Sequence, residues 1–311
     1  MDEQGYERES LQAAIAHAQS YCTHGRVADY IPELAKASKQ TLGVAVMTVD
    51  GRSMCEGDSD WLFTMQSISK VFTLLLALID NGEEKLFEHV GMEPTGDNFN
   101  SMVKLELVEP GKPFNPMINA GAITVSSLIH GRSPEEKVAR ILSFVRMIAG
   151  DDTITIDEAV YRSEAATADR NRSLAYFLKH NGVISGSVDE HLEVYFKHCS
   201  ILVSCRHIAR AGMIMANNGR DPKTGKQCIP QRYVQIAKVF MSTCGMYNAS
   251  GEFAIKVGIP AKSGVAGGIL AVVPGKMGIG TIGPALSGKG NSVAGFQLLQ
   301  DLAVRWNLSM Y

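Results

Sequence analysis

The chain has 311 residues, of which 45% are hydrophobic and 20% charged, and its formal net charge is −2. This is the composition of an ordinary globular protein with ample core, enough for one large domain or two small ones. So small a net charge offers no electrostatic case for nucleic acid or an acidic membrane as a partner.

The N-terminus, Met1-Asp2-Glu3-Gln4, is acidic and lacks the apolar segment of a secretion signal, so a cytoplasmic protein is expected. Residues 10–22 carry Leu11, Ala14, Ile15, Ala18 and Tyr21 at helical spacing, with Gly25 as a stop. Residues 42–49 are rich in β-branched side chains, and Asp50-Gly51 signals a hairpin into a second strand through Met54-Cys55-Glu56. A third short strand before Ser67 would complete an antiparallel meander.

Residues 71–79 form the longest apolar run, too short to span a bilayer. They follow Gln66-Ser67-Ile68-Ser69-Lys70 and predict a buried helix that stops near Asp80-Asn81-Gly82. Amphipathic helices are predicted over 134–148, 163–180, 188–199 and 204–217. After Gly251 the pattern changes to three strands, 253–262, 268–273 and 277–282, and Asn291 caps a last helix running to about Asn307. The order implies an α+β fold. An antiparallel sheet from both chain ends, with terminal helices on one face, forms a discontinuous sub-domain of residues 1–66 and 241–311. A helical sub-domain, residues 67–240, sits beside it.

The chemistry centres on Ser67 and Lys70. Three residues apart, they share one face of a helix, the hydroxyl near the positive end of the dipole and the amine partly desolvated. That is the arrangement of a serine nucleophile with a lysine base. S-x-x-K is a loose pattern, and about one chance copy is expected in a chain of this length. A second copy, Ser101-Met102-Val103-Lys104, follows a polar turn-like stretch and reads as a cap with a solvated lysine. Lys262-Ser263-Gly264-Val265 ends an apolar strand where backbone N–H groups can face a ligand. Lys223-Thr224-Gly225 fits a K-T-G pattern more literally but lies in a surface turn.

Asn119 reads as a helix cap or a ligand-binding amide. Glu164 and Asn171, seven apart, would share one face of a helix. Tyr195 and Tyr247 read singly as amphipathic core tyrosines. Six cysteines without C-x-x-C spacing and eight histidines without H-E-x-x-H spacing predict reduced thiols and no metal. His198 and His207 read as ordinary helix residues.

Several longer motifs stand in one order: Asp-Tyr-Ile-Pro (29–32), Gln-Ser-Ile-Ser-Lys (66–70), Asn-Pro-Met-Ile-Asn-Ala-Gly-Ala (115–122) and Ser-Glu followed by Asn (163–171). Tyr-Phe-Lys-His-Cys-Ser (195–200), Gly-Met-Tyr-Asn-Ala-Ser-Gly-Glu-Phe (245–253) and Pro-Ala-Lys-Ser-Gly-Val-Ala-Gly-Gly (260–268) follow. From about Gly25 to Tyr311 the chain resembles the serine-dependent glutaminases, relatives of the β-lactamase and penicillin-binding-protein fold. The resemblance implies a cofactor-free amidohydrolase that converts L-glutamine to L-glutamate and ammonia, with Ser67 as nucleophile and Lys70 as base. It implies that Tyr30 and Tyr247 line the site and move protons, and that the N–H groups of Ser67 and Val265 form an oxyanion hole. Asn119, Glu164, Asn171 and Tyr195 would hold the amino-acid end of the substrate, and Lys262 matches the lysine of the superfamily's KSG/KTG motif.

The resemblance also implies a short bacterial type and a homodimer or homotetramer. Two rivals remain. A penicillin-recognising peptidase or esterase is disfavoured by the missing S-D-N triplet and export signal. A glutamine-binding sensor without turnover is disfavoured by the intact Ser67, Lys70 and Tyr30.

Overall fold

The computed structural model describes residues 8–95 and 111–311. Helix α1 (Arg8–Gln19) buries Leu11, Ala14 and Ala18 along one stripe and ends in a 3₁₀ turn, Ser20–His24. Strands β1 (Gly43–Thr48) and β2 (Ser53–Gly57) pair antiparallel through the expected hairpin. Gly51 supplies the positive φ, 95°, that the tight turn needs. The third strand, β3 (Phe63–Thr64), does not extend this meander. It pairs with β4 (Leu202–Val203) from the middle of the chain and carries the backbone from the sheet into the helical layer.

Helix α2 (Ser69–His89) follows a 3₁₀ turn at Gln66–Ile68, and all its residues from Ser69 to Leu78 are buried. Gly82 breaks the helical backbone where a stop was expected, after which helical turns resume to His89. Then come α3 (Asn119–Ser127) and α4 (Pro134–Ala149), the latter with a Ser133 cap and a left-handed Gly150 at its end.

The single helix expected over 163–180 is two, α5 (Glu158–Ala166) and α6 (Asp169–His180). Thr167 Oγ1 bonds back to the carbonyls of Ser163 and Glu164, and Ala168 leaves the helical region, so the chain turns between them. Helices α7 (Val188–Cys199) and α8 (Cys205–Ala216) match their predicted spans closely, and α9 (Gln231–Cys244) follows.

The strand expected over 253–262 begins as the end of helix α10 (Ser250–Lys256), and strand β5 is confined to Ala261–Ser263. Phe253 and Val257, four residues apart, are buried in one cluster, so the apolar spacing served a helical stripe. Strands β6 (Gly268–Val273) and β7 (Met277–Ile282) form as predicted. The last helix, α11 (Val293–Trp306), is capped by Ser292, whose hydroxyl accepts from the Gly295 amide. Asn291, the expected cap, instead donates to the Met246 carbonyl.

The five-stranded sheet has the order β2-β1-β7-β6-β5 and is antiparallel throughout. Its strands alternate between two cores. Val44, Val46, Ile269, Ala271 and Ile279 join the terminal helices α1 and α11, while Ala45, Leu270 and Val272 join the helical layer. The helical block is therefore not merely beside the sheet, as expected, because α8 lies directly on the second face. Glycines make that approach possible: a Cβ at Gly278 would stand 2.1 Å from the Met213 amide nitrogen, and one at Gly280 2.3 Å from the Cys205 carbonyl oxygen.

Gly280→Ala is accordingly expected to force helix and sheet apart and cost about 2–3 kcal/mol. Thermal unfolding followed by circular dichroism should show a midpoint several degrees lower, and an unchanged midpoint would refute the tight seat.

Among the described residues no helix is long and apolar enough to cross a membrane. The Lys223-Thr224-Gly225 turn is exposed and closed by a bridge between Arg220 and Gln227. Ser101 and Lys104 lie outside the described residues.

Candidate active site

The 3₁₀ turn before α2 sets the site. Gln66 adopts φ of 47°, uncommon for a residue with a side chain. Its amide nitrogen donates to Thr64 Oγ1 and its side chain also bonds Glu164. This strained step turns the chain so that Ser67 lines a cavity of about 190 Å³ at the mouth of α2. Tyr30, Asn119, Glu164, Asn171, Tyr195 and Val265 line the same cavity, together with Gln66 and Arg170, which the sequence reading did not single out.

Each residue arrives on a different element. Asn119 opens α3, Glu164 lies near the end of α5, Asn171 is in the first turn of α6, and Tyr195 is on α7. Glu164 and Asn171 thus meet across a helix break and not along one helical face. Tyr30 stands at the rim, about half exposed. Its segment is held by a small cluster in which Ala28, Ile31 and Leu34 pack with Val160 and Val265.

Lys70 is one turn behind Ser67 and has no exposed surface. Its amine donates to Asn119 Oδ1 at 2.6 Å and to the Met117 carbonyl at 3.1 Å. Burial lowers its pKa to about 8, so the neutral amine is accessible near neutral pH. Asn119 is in turn oriented by its own amide, which donates to Asn171 Oδ1 at 3.0 Å.

The Ser67 hydroxyl is hydrogen-bonded to Tyr247 and not to Lys70. The Tyr247 phenol donates to the Ser263 carbonyl at 3.1 Å, so its oxygen is left to accept from Ser67. Tyr247 itself has φ of 51°, a second left-handed residue beside the site. Burial pushes its phenol well up, and the same holds for Tyr195.

Lys262 lies behind this pair, fully buried. It donates to the carbonyls of Gly245 and Ser263 at 3.1 and 2.7 Å, and its amine stands 4.4 Å from the Tyr247 ring centre. Burial first, and the nearby Lys70 second, hold its pKa well below the ordinary lysine value. Lys262, Lys70 and Tyr247 form the wall behind Ser67, while the other predicted residues face the cavity.

Glu164 is the unusual group. It is buried, and one carboxylate oxygen, Oε2, has no hydrogen-bond partner. Burial raises its pKa to about 8 against the opposing pull of Lys70. A buried acceptor left open inside a cavity is costly unless something supplies a donor. Neither the Ser67 nor the Val265 backbone N–H has a hydrogen-bond partner among the described residues, so both remain available to a ligand. Among the described residues no cluster of metal-ligating side chains occurs.

The cavity therefore combines an amine-backed serine, two open amide donors and a carboxylate awaiting a cation. Its chemistry agrees with what known proteins report. Residues 25–311 match the family model described as Glutaminase. A glutaminase of Alkaliphilus oremlandii is 57% identical over 287 residues, 92% of this chain and 94% of that protein. A probable glutaminase from Bacillus subtilis, solved in complex with 6-diazo-5-oxo-L-norleucine, superposes with a TM-score of 0.90 at 40% identity. It covers all of this chain and 98% of its own. A B. subtilis glutaminase in covalent complex with 5-oxo-L-norleucine, formed by reaction with the same diazo compound, gives 0.87 at 40% identity, with 97% and 98% covered. With near-complete coverage by sequence and by fold, the chain belongs to the glutaminase family, serine-dependent enzymes of the β-lactamase-like fold.

Proposed function

We propose that the protein is a glutaminase that hydrolyses the side-chain amide of L-glutamine through an acyl-enzyme on Ser67. The observation that carries this reading is the open, buried Glu164 carboxylate in the cavity that Ser67 lines. A glutamine α-ammonium supplies the missing donor and charge, returning Glu164 to its ionised form. Asn119, Asn171 and Tyr195 then serve the rest of the amino-acid end. Anchoring that end holds the side-chain amide over Ser67, which converts binding into orientation.

Attack by Ser67 Oγ on the amide carbon forms a C–O bond and places negative charge on the carbonyl oxygen. The N–H groups of Ser67 and Val265 face that oxygen, each contributing about 3 kcal/mol in comparable sites. Neutral Lys70, one turn behind Ser67, is the base that takes the serine proton, while the protonated Tyr247 phenol holds the Ser67 oxygen in line. Protonation of the amide nitrogen breaks the C–N bond and releases ammonia. Water, activated by the same groups in reverse, then hydrolyses the γ-glutamyl ester to glutamate. Tyr30, at the rim, closes the cavity over the substrate. Lys262 keeps Tyr247 and the Ser263 carbonyl in place. The covalent complex described for the B. subtilis relative supports a mechanism with a protein nucleophile. The reading includes a homodimer or homotetramer, on family resemblance, and a cytoplasmic location, on the acidic N-terminus without an apolar signal segment.

The direct test incubates the purified protein with L-glutamine, L-asparagine and a chromogenic β-lactam in parallel and measures ammonia and glutamate. Equal amounts of both products from glutamine alone are expected. Asparagine, one methylene shorter, cannot reach Ser67 while its ammonium is on Glu164. Cleavage of the β-lactam without ammonia from glutamine would move the protein to the penicillin-recognising enzymes. Binding of glutamine without turnover would make it a sensor.

A further inference from the structure

His198 lies outside the cavity, fully buried near the C-terminal end of α7, and takes no part in the scheme above. It nevertheless touches three helices of the site. Its Nδ1 is 2.8 Å from Ser69 Oγ, on the first residue of α2, and its Nε2 is 2.9 Å from Ser126 Oγ, on α3. Its ring meets that of Tyr195 edge-on at 5.2 Å, one turn earlier on its own helix.

Each of these contacts leads directly to a site residue. Ser69 is two residues beyond Ser67, and its hydroxyl also stands 2.7 Å from the carbonyl oxygen of Gln66, the left-handed residue that turns Ser67 into the cavity. Ser126 is on the helix that begins with Asn119, the partner of Lys70. Cys199 Sγ, 3.8 Å from both Ser69 Oγ and His198 Nδ1, completes the polar surroundings. A neutral imidazole has one N–H, so it donates to one hydroxyl and accepts from the other; each hydroxyl also stands 2.7 Å from a backbone carbonyl, Ser69 from Gln66 and Ser126 from Ala122, and the one that donates to the ring turns its proton away from that carbonyl. Burial and the nearby Lys70 keep the ring neutral by pushing its pKa down to about 3.

We propose that His198 is a positioning residue for the reaction at Ser67, tying α2 to α3 through Ser69 and Ser126 and so fixing the nucleophile relative to the Lys70–Asn119 pair. This rests on the glutaminase reading. A displacement of about 1 Å at a reacting group can cost on the order of a hundredfold in rate, so loss of the tie should appear in kcat and leave KM nearly unchanged.

The test compares four variants with wild type for glutamine turnover and thermal midpoint. His198→Phe keeps the ring against Tyr195 and removes both hydrogen bonds, and its kcat should fall at least about tenfold with KM within about threefold. His198→Asn places an amide near the Nδ1 position and restores the bond to Ser69, so it should recover most of kcat. His198→Gln reaches only the Ser126 side and should stay low. A packing role would instead make kcat follow thermal stability across the series, and that outcome overturns the proposal, as does a wild-type kcat in His198→Phe. Should His198→Phe fail to fold, Ser69→Ala cuts the same tie by removing one oxygen. A reduced kcat there supports the proposal and an unchanged one refutes it. Failure of the wild type to release ammonia would sink the functional reading itself, which the control shows separately.

Discussion

Ser67→Ala is expected to lower ammonia release from L-glutamine by at least about 10⁴-fold, while glutamine still binds. The nucleophile is the one group whose bond to substrate must form, so no neighbour can substitute for it. Binding should survive because Glu164, Asn119, Asn171 and Tyr195 are on other helices, and the missing hydroxyl costs the protein little. Ser67 oxygen is held by Tyr247, whose phenol keeps its second partner, the Ser263 carbonyl. Isothermal titration of the variant with glutamine, beside a coupled glutamate assay, measures both quantities. Turnover within tenfold of wild type would remove Ser67 from the mechanism.

Glu164→Gln should lower kcat/KM by roughly a hundredfold, about 3 kcal/mol, mainly through KM. The amide keeps the volume and the bond to Gln66 but offers the substrate ammonium no charge. The pH dependence should change with it. In the free enzyme Glu164 is raised to about 8 and Lys70 lowered to about 8, each by burial. The active form has the carboxylate ionised and the amine neutral, so both groups must lose a proton as pH rises. The kcat/KM of wild type should therefore climb through about pH 8 more steeply than one titration allows, with apparent constants that belong to the pair. Without the Glu164 carboxyl the limb should fall to the slope of a single group. A wild-type profile falling through that range, or a KM untouched in the variant, would contradict the pairing of Glu164 with the ammonium.

Much of this site was legible because its residues stand in contiguous motifs whose chemistry is local. Ser67 and Lys70 need only one helical turn to meet, and the sequence around them is apolar enough to declare that turn buried. Residues 253–262 were misread because the spacing of Phe253 and Val257 suits a half-buried strand nearly as well as a helix, and only packing against the terminal helices decides between them. Glu164 and Asn171 both line the cavity for a reason the sequence did not contain, since a break at Thr167 and Ala168 puts them on separate helices. His198 stood inside the Tyr-Phe-Lys-His-Cys-Ser motif, but nothing in the sequence told its role. A histidine on a helix is ambiguous until the hydroxyls facing it are known, and Ser69 and Ser126 lie far from it in the chain. Gln66 was visible inside its motif, but its left-handed backbone was not.

The pairing of β1 with β7 sets a timetable for synthesis. Gly43 faces Ile282, more than two hundred residues later, an interval of roughly 10–50 s at ordinary rates of translation. Until β7 leaves the ribosome, the β1–β2 hairpin has an open edge and α8 has no glycine-lined seat on which to bury its apolar side. The Ser67–Lys70 turn is synthesised early and stays idle, because Tyr247 and Val265 are also among the late residues. A nascent chain stopped short of residue 277 is thus no fraction of an enzyme but an exposed strand edge beside an uncovered helix, the kind of intermediate that chaperones retain.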